Sequence, residues 1–477
     1  MSSALLTTQK YQRRHCIVES ERTILLGAGS STPFGIPAMK QFVLNFKLEI
    51  ASDSTSKGRE INDFLGQIEL ALDESEKLVG TRIPFDLESL MVVLEDLVAR
   101  KDKPISAPTF ALMLHLIMKK RMEVGSYNIK DARRTFSDKA EELLDRLRKF
   151  IFANCVKPIE VGHELRNFNF LDLIFAPLFA MIGNGDFKSP RTQWIFTTNW
   201  DLCLKQWLDY AMRNIPVEDG TVRDRQGEPV FSPKSWSTTG SDVARNIIPL
   251  HGSLGLIKRT KMVRGGSYEE IHKVTAPETY FRGNPSEIAK AFMIFPLEAV
   301  GYEQSVRSPY LDMLNLLKMR LMVEHEVFIV GFSLRDSTIT SIFEEVLRER
   351  AQAGDWQPIA HSEKSKFTDN DIQRFRNMRL KVFLIDSSPE TVIRYLKGRD
   401  YPNLADALIP IKATFPHIIE RFPDDRETVI QDLSLLYSGL LYELKQYGFG
   451  ADAGDIQNGL SREGLDIHLD YKKQSQV

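Results

Sequence analysis

The feature that most constrains this chain is a short apolar segment that recurs five times, each time followed by a glycine or polar turn and then by a helical pattern. The five segments are residues 23–27, 194–199, 247–252, 327–332 and 380–385. Apolar strands that alternate with helices form a parallel sheet covered on both faces. The sequence therefore predicts an α/β fold with a doubly wound, Rossmann-like parallel sheet. Ligand chemistry is expected at the carboxyl ends of its strands.

Two long regions lack this rhythm. Residues 60–190 contain successive helical patterns, including one behind a predicted N-cap at Asp86 in which apolar residues recur at three- and four-residue steps. Residues 401–477 also have mostly helical patterns. We therefore expect a sheet domain over residues 1–400 with a helical insertion at 60–190 and a small module at 253–300, followed by a helical C-terminal extension.

Charge and apolar content limit the partners. Lys and Arg number 62 against 64 Asp and Glu, so no excess charge would drive direct binding to nucleic acid or to an anionic membrane. The longest apolar stretch, Phe170–Ile182, is interrupted by Asp172 and Pro177 and is shorter than the ~20 residues of a spanning helix. Charged residues occupy the N-terminus where an export signal would be apolar. We expect a cytoplasmic protein that does not insert into membranes.

The cysteines do not suit a metal site. Cys16, Cys155 and Cys203 are scattered and odd in number, which excludes a disulfide framework and a four-cysteine zinc site. The nine histidines contain no HExxH pattern and no close cluster. Buried or idle thiols and the absence of a metal are the expectations.

The loop after the first strand has the outline of a phosphate cradle. GAGSS at residues 27–31 would place backbone amides and a helix N-terminus where a phosphate can approach. No GK[ST] follows, and Thr32 occupies the third glycine position of GxGxxG, so neither common nucleotide motif is matched. An ordinary strand-to-helix turn remains an alternative. Pro37 is expected in the first turn of the helix that follows.

Polar residues follow the other predicted strands. Asn199 and Asp201 occur in TTNWD, His251 in LHGSLG and Ser333 in GFSLRD. The predicted sheet would direct all of them toward one crevice. Taken singly, each also has a structural interpretation as a cap, a turn residue or a hydrogen-bonded core residue. Asp336 is interpreted only as the N-cap of the next helix.

Together these motifs resemble those of the sirtuins. GAGSSTPFGIP, TTNWD, LHG and GFS are similar, in the same order, to the family's GAG-x-S…GIP, TQN-x-D, HG and GTS motifs. The resemblance implies NAD as substrate, with Asn199 orienting the ribose or the attacking water, His251 as general base, and Asp201 orienting the nicotinamide end or supporting Asn199. It assigns NAD binding to eleven positions, which are Gly27, Ala28, Gly29, Ser30, Ser31, Pro37, Thr198, Gly331, Phe332, Ser333 and Asp386.

The sequence also differs from the sirtuin motifs, and the differences indicate which branch of the family it resembles. Residues 253–300 contain no cysteine, whereas protein-deacylating sirtuins carry a zinc ribbon there, and Thr198 stands in place of the glutamine. The chain is similar in these respects to sirtuin-like domains of bacterial anti-phage defence proteins. That branch implies an NAD+ hydrolase that depletes cellular NAD in abortive infection.

Such an enzyme must stay latent until it is activated. The resemblance implies activation through homo-oligomerisation, a translocase-type ATPase, an Argonaute, a phage protein or a signalling nucleotide. Two alternatives remain open at this point. One is an NAD-dependent deacylase or ADP-ribosyl transferase, and the other is a module that senses a nucleotide without turnover.

Overall fold

The computed structural model describes residues 22–80, 83–98, 107–124, 129–164, 175, 178, 193–211, 217–233, 235–238, 245–263, 266–294, 308–354, 380–399, 401–415 and 426–447. These ranges hold twelve strands in two sheets. The strands are β1 (Arg22–Leu26), β2 (Gln193–Thr197), β3 (Val217–Glu218), β4 (Thr221–Arg223), β5 (Pro229–Phe231), β6 (Arg245–Pro249), β7 (Gly252–Val263), β8 (Gly266–Lys273), β9 (Ala291–Met293), β10 (Glu326–Val330), β11 (Lys381–Asp386) and β12 (Leu408–Lys412).

The larger sheet has seven strands in the order β12-β11-β10-β1-β2-β6-β3, and every neighbouring pair is parallel. The chain moves from β1 outward through β2 to β6, and later returns to the other side of β1 to add β10, β11 and β12. This reversal is the doubly wound topology. The predicted fold class is confirmed, and the five predicted strands lie within three residues of their observed bounds.

Helices cover both faces of this sheet because its strands are apolar on both sides. All five residues of β1 are buried. Ile24 and Leu26 belong to the core on one face, which also contains Phe64 and Leu94 from the region between β1 and β2. Leu25 points to the opposite face and packs into a second core. Alternate side chains of one strand therefore serve two hydrophobic cores.

Fourteen helices lie within the described ranges. They are α1 (Met39–Ser52), α2 (Ser56–Asp73), α3 (Ser75–Val79), α4 (Leu87–Val98), α5 (Ala107–Val124), α6 (Ile129–Glu164), α7 (Cys203–Ala211), α8 (Ser235–Thr238), α9 (Pro277–Gly283), α10 (Tyr310–Val323), α11 (Ser337–Gln352), α12 (Pro389–Lys397), α13 (Pro402–Ala407) and α14 (Arg426–Gln446). Helices α2 to α6 occupy the described part of the predicted insertion. Asp86 caps α4, since its Oδ1 accepts from the Ser89 amide over 3.0 Å.

Helix α1 starts later than predicted. Its N-cap is Ala38, so Pro37 precedes the helix rather than occupying its first turn. Two short 3-10 turns, Ala28–Ser30 and Thr32–Phe34, take up the chain between β1 and α1.

The second sheet is antiparallel, in the order β4-β5-β8-β7-β9. Its central hairpin joins β7 to β8 through eight residue pairs, from Leu256 opposite Lys273 to Val263 opposite Gly266. Strands β7, β8 and β9 and helix α9 occupy the described part of residues 253–300, the range predicted as a small module. The backbone ladder of this sheet extends outside those bounds, through β4 and β5.

The C-terminal region, predicted to be mostly helical after residue 400, also contributes a strand to the sheet. Leu408–Lys412 forms β12, an edge strand parallel to β11, so the sheet continues to Lys412. Helix α14 then packs onto the same core as the helical insertion, and the Tyr447 ring lies edge-on to Phe383 at 5.9 Å. Residues 448–477 lie outside the described part of the chain. Among the described helices, none combines the length and apolar character needed to cross a membrane.

Candidate functional site

A cleft opens at the carboxyl ends of β1, β2 and β6. Its floor includes Leu26, Thr197 and Pro249 from those strands. Of the residues predicted from the sequence, it brings together Ser30, Ser31, Asn199 and Asp201.

The backbone amides of the loop after β1 donate hydrogen bonds to the end of β10 and to the loop itself. The Gly27 amide donates to Val330 O over 2.9 Å, and the Gly29 amide donates to Gly331 O over 2.8 Å. The amides of Ser30 and Ser31 donate to Gly27 O and Ala28 O. These four amides are therefore engaged within the chain. A diphosphate bound to them, as expected from the sequence, would have to replace these bonds.

The glycines of this loop allow two backbone segments to approach each other. Gly331 has φ +58°, and a Cβ there would lie 2.5 Å from the Ser30 nitrogen. A Cβ on Gly27 would likewise lie 2.5 Å from the Cα of Phe332. Glycine is required here by the packing of the two loops, a reason that the phosphate-cradle interpretation did not include.

Asn199 is held by three hydrogen bonds from its side-chain amide. Nδ2 lies 3.1 Å from Gly27 O, 3.2 Å from Ser30 Oγ and 2.8 Å from Ser31 Oγ. Its Oδ1 is buried and has no hydrogen-bond partner within the described ranges. A buried amide oxygen without a partner is uncommon, and here it lies on a residue that lines the cleft.

Asp201 completes this cluster. Its Oδ2 accepts from Ser31 Oγ over 2.8 Å, and its Oδ1 accepts from the Cys203 amide over 3.0 Å at the start of α7. Burial raises the pKa of Asp201, although these hydrogen bonds act in the opposite direction. Ser31 thus joins Asn199 to Asp201 through two hydrogen bonds.

The other predicted binding residues lie around the same edge of the sheet, outside the cleft lining. Thr198 is buried, and its amide and hydroxyl both donate to Leu26 O. Phe332 is buried and Ser333 is exposed in the loop after β10. Asp386 ends β11 and accepts from the Ser388 amide over 2.8 Å. The cleft therefore gathers part of the predicted set.

His251 is buried, and its partner was not predicted. Its Nε2 lies 2.7 Å from Asp336 Oδ2, and both side chains are 2% exposed. Pro249 and Ser253 on either side of His251 line the cleft, whereas His251 itself is not among the lining residues. Asp336 does cap α11 as predicted, since its Oδ1 accepts from the amides of Thr338 and Ile339. Asp336 therefore both caps α11 and contacts His251.

Sequence reasoning also missed a charged group in the cleft. Asp219 Oδ2 accepts from Lys273 Nζ over 2.6 Å and lies 3.6 Å from Lys205 Nζ. Burial alone would raise the pKa of Asp219, but the two lysines lower it. The three side chains are contributed by the loop after β3, by α7 and by β8. No local sequence pattern links them.

The described cysteines and acids do not form a metal centre. Cys155 and Cys203 are buried, and burial raises the pKa of both thiols. Cys16 lies outside the described residues. Among the residues that are described, no group of three or more His, Cys, Asp and Glu side chains is arranged to hold a metal ion.

A doubly wound parallel sheet with polar residues at the carboxyl ends of its strands defines a Rossmann-like α/β protein. Residues 193–383 match the family model described as a SIR2-like domain. The matched range contains TTNWD, LHG and GFS, and the resemblance to the sirtuins is confirmed over it. A search of curated proteins found no match for the chain.

Proposed function

We propose that this chain is an NAD+ hydrolase that cleaves the nicotinamide–ribose bond and acts as an effector in bacterial anti-phage defence. The observation that carries the proposal is Asn199, whose amide nitrogen is fixed by three acceptors while its buried Oδ1 has no described partner. A ribose hydroxyl or the attacking water would supply the missing donor. The match of residues 193–383 to a SIR2-like domain supports NAD as the substrate.

The reaction is a substitution at the anomeric carbon. Water adds its oxygen to that carbon as the carbon–nitrogen bond breaks, the bonding electron pair leaves with the nicotinamide nitrogen, and one proton is released. Asn199 would orient the ribose or the water. His251 would accept the proton, since an imidazole is a suitable base near neutral pH. Asp201 would support Asn199 through Ser31.

Binding roles for the remaining loop residues rest on the resemblance to the sirtuins. The hypothesis assigns the nucleotide to Gly27–Ser31, Pro37, Thr198, Gly331–Ser333 and Asp386. Lys205 and Lys273 also line the cleft, where both lie beside Asp219.

An enzyme that depletes NAD would harm its host, so the proposal includes latency. Activation would come from homo-oligomerisation or from an activating partner, such as a translocase-type ATPase, an Argonaute, a phage protein or a signalling nucleotide. His251 is buried and does not line the cleft, which supports a latent form that must rearrange before turnover. We propose that the protein works in the cytoplasm, where NAD is available.

The test is to incubate the full chain with NAD+, alone and with candidate activators, and to measure nicotinamide and ADP-ribose. Release of both products without an acyl-peptide supports the proposal. Strict dependence on an acyl-lysine peptide or on another protein acceptor would instead identify a deacylase or ADP-ribosyl transferase. Tight NAD+ binding without products under every activating condition would identify a nucleotide sensor.

A cellular measurement tests the defence role separately. Cells that carry the wild-type chain should lose NAD after phage infection, whereas cells that carry the Asn199→Ala variant should keep it. Equal NAD levels in the two strains after infection would contradict the effector role even if the purified protein hydrolyses NAD+.

A further inference from the structure

The carboxylate of Asp336 makes two separate sets of contacts. Oδ1 accepts from the Thr338 and Ile339 amides over 2.8 and 3.0 Å, and Oδ2 lies 2.7 Å from His251 Nε2. The side chain therefore fixes the start of α11 and one nitrogen of the imidazole at the same time. Its position at a helix N-terminus favours a negative charge.

This arrangement determines which imidazole nitrogen carries the proton. An ionised carboxylate only accepts hydrogen bonds, and a neutral imidazole has a single N–H. The short contact at Nε2 thus places the hydrogen on Nε2. The other nitrogen, Nδ1, is then an acceptor, and it is buried with no hydrogen-bond partner in the part of the chain that the structure describes.

The backbone around His251 holds the ring in place. His251 O accepts from Trp200 Nε1 over 3.0 Å and from the Ile294 amide over 2.8 Å. These two bonds fix the main chain of His251, and the contact with Asp336 fixes Nε2. The orientation of the ring, and therefore the position of Nδ1, is fixed as well.

The loop that presents Asp336 is itself constrained. Leu334 has φ +52°, a left-handed conformation that a leucine adopts only when its surroundings enforce it. The Leu334 carbonyl accepts from Thr340 Oγ1 over 3.0 Å, so the first turn of α11 holds the strained residue. Strain of this kind is common where a side chain must be placed accurately.

Asp336 acts electrostatically on two buried neighbours, Glu88 and Tyr310. Glu88, in the first turn of α4, has its pKa raised to about 8 by burial and by the neighbouring Asp86 and Asp336. Arg335 lowers the pKa of Glu88, but burial has the larger effect. Glu88 is therefore protonated at neutral pH. Tyr310 lies near the same carboxylate, and burial together with Asp336 raises its pKa, so the phenol stays neutral.

We infer that Asp336 is a positioning residue that holds His251 as the Nε2–H tautomer, so that Nδ1 is the nitrogen that accepts the proton during NAD cleavage. The tautomer is a property of the folded chain. The catalytic consequence rests on the proposed NAD+ hydrolase function.

The central test is Asp336→Asn. Asparagine is as good an N-cap as aspartate, so its Oδ1 can keep the two amide bonds of α11. Its Nδ2 would then face His251 Nε2 and donate, which forces the hydrogen onto Nδ1. Asp336→Ser is the second variant, because serine also caps a helix but is too short to reach the imidazole. Asp224→Asn is the matched control, since Asp224 Oδ1 also accepts from two backbone amides, those of Gln226 and Glu228, in a turn remote from His251.

The readout for the tautomer is nitrogen NMR of the full chain with labelled histidine, with the His251 signal assigned by comparison with His251→Gln. We expect a protonated Nε2 in the wild type and in Asp224→Asn, and a protonated Nδ1 in Asp336→Asn. A wild-type His251 with its proton on Nδ1, or an Asp336→Asn spectrum like that of the wild type, would overturn the inference. This measurement does not depend on any enzymatic activity, so it separates the inference from the proposed function.

The readout for catalysis is kcat and KM for nicotinamide release under the conditions that activate the wild type. We expect Asp336→Asn to lower kcat by at least about 100-fold with little change in KM, because Nδ1 would then carry the hydrogen and could no longer accept the substrate proton. Asp336→Ser should lose less, since its imidazole can sample both tautomers. Unchanged or increased turnover in Asp336→Asn would mean that the Asp336 bond restrains His251 away from the cleft, and would overturn the positioning role.

Discussion

Ser31 donates its hydroxyl hydrogen to Asp201 over 2.8 Å, and this bond fastens the loop after β1 to the loop after β2. The same Ser31 oxygen accepts from the Asn199 amide over 2.8 Å. Three residues from two strand ends therefore form one hydrogen-bonded unit in the cleft. The loss of any member leaves a buried polar atom of another without its partner.

Ser31→Ala tests the strength of this unit. The hydroxyl is 1% exposed, and its removal would leave the buried Asp201 Oδ2 without a described donor. We expect the free energy of unfolding to fall by about 1–3 kcal/mol, measured by urea denaturation. Ser52→Ala is the control, because the Ser52 hydroxyl bonds only to Glu49 O on an exposed turn and should cost little. Equal losses in the two variants would show that the Ser31–Asp201 bond contributes nothing specific.

Asn199→Ala should remove NAD cleavage while the fold persists. Asn199 lies at the cleft and not in a hydrophobic core, and the loss of a preorganised polar group typically costs ~10²–10³ in rate. Nicotinamide release and thermal melting are measured side by side. Asn154→Ala is the matched control, since Asn154 also donates from its side-chain amide to a backbone carbonyl, but within α6. Substantial activity in Asn199→Ala would remove this residue from the mechanism.

His251→Gln is a better probe than His251→Ala because of Asp336. Alanine would leave the buried Asp336 Oδ2 without the imidazole donor, whereas a glutamine amide can donate to it. We expect a loss of ~10²–10⁴ in NAD cleavage, the usual effect of removing a general base. Thermal melting should show a smaller loss of stability for glutamine than for alanine.

His272→Gln controls for the burial of an imidazole. His272 is also buried, pairs with Glu270 through Nε2 over 2.8 Å and has a buried Nδ1 without a described partner, but it lies on β8 outside the cleft lining. It should keep wild-type NAD cleavage. If the two histidine variants lost activity equally, the loss would reflect folding and not base catalysis.

Gly252→Ala should destabilise the chain strongly. Gly252 follows His251 with φ +78°, and a Cβ there would overlap the carbonyl oxygen of Phe292 in β9. Alanine would be strained in conformation and would displace β9 from β7. In contrast, Gly66→Ala within α2 meets nothing within 4 Å and should stabilise the chain by up to about 1 kcal/mol. Urea denaturation of both variants measures the difference, and similar stabilities would contradict the close packing at Gly252.

Glu88 should make stability depend on pH. Its pKa is raised from 4.5 to about 8, mainly by burial, so between these values the folded chain keeps a proton that the unfolded chain has lost. Stability must therefore fall as pH rises through this window. Glu88→Gln removes that proton linkage, and its melting temperature should decline less from pH 5 to pH 8 than that of the wild type.

Glu390→Gln provides the comparison for Glu88, because Glu390 occupies the first turn of another helix and is exposed. Its melting temperature should follow the wild-type pH dependence. A Glu88→Gln curve parallel to the wild-type curve would show that Glu88 is ionised in the folded chain.

The order of apolar runs and polar turns was enough to predict the sheet and the edge where the candidate site lies. Apolar runs such as residues 327–330 in β10 leave no polar face, so each must be buried between two layers, and the polar residues after them must collect at one edge. Asn199, Asp201 and Ser31 were predictable for this reason. The cap at Asp86 was also predictable, because capping depends only on residues three positions apart.

Tertiary structure alone decided which side chains meet. Asp336 and His251 are 85 residues apart, and their contact joins the N-terminus of α11 to the turn after β6, which no local pattern encodes. The same holds for Asp219 with Lys205 and Lys273. The edge strand β12 was missed because its five residues follow directly on a short helix. Local periodicity fixes the elements, whereas long-range packing selects the partners of each buried polar atom, because every such atom must find its hydrogen bonds in the folded chain.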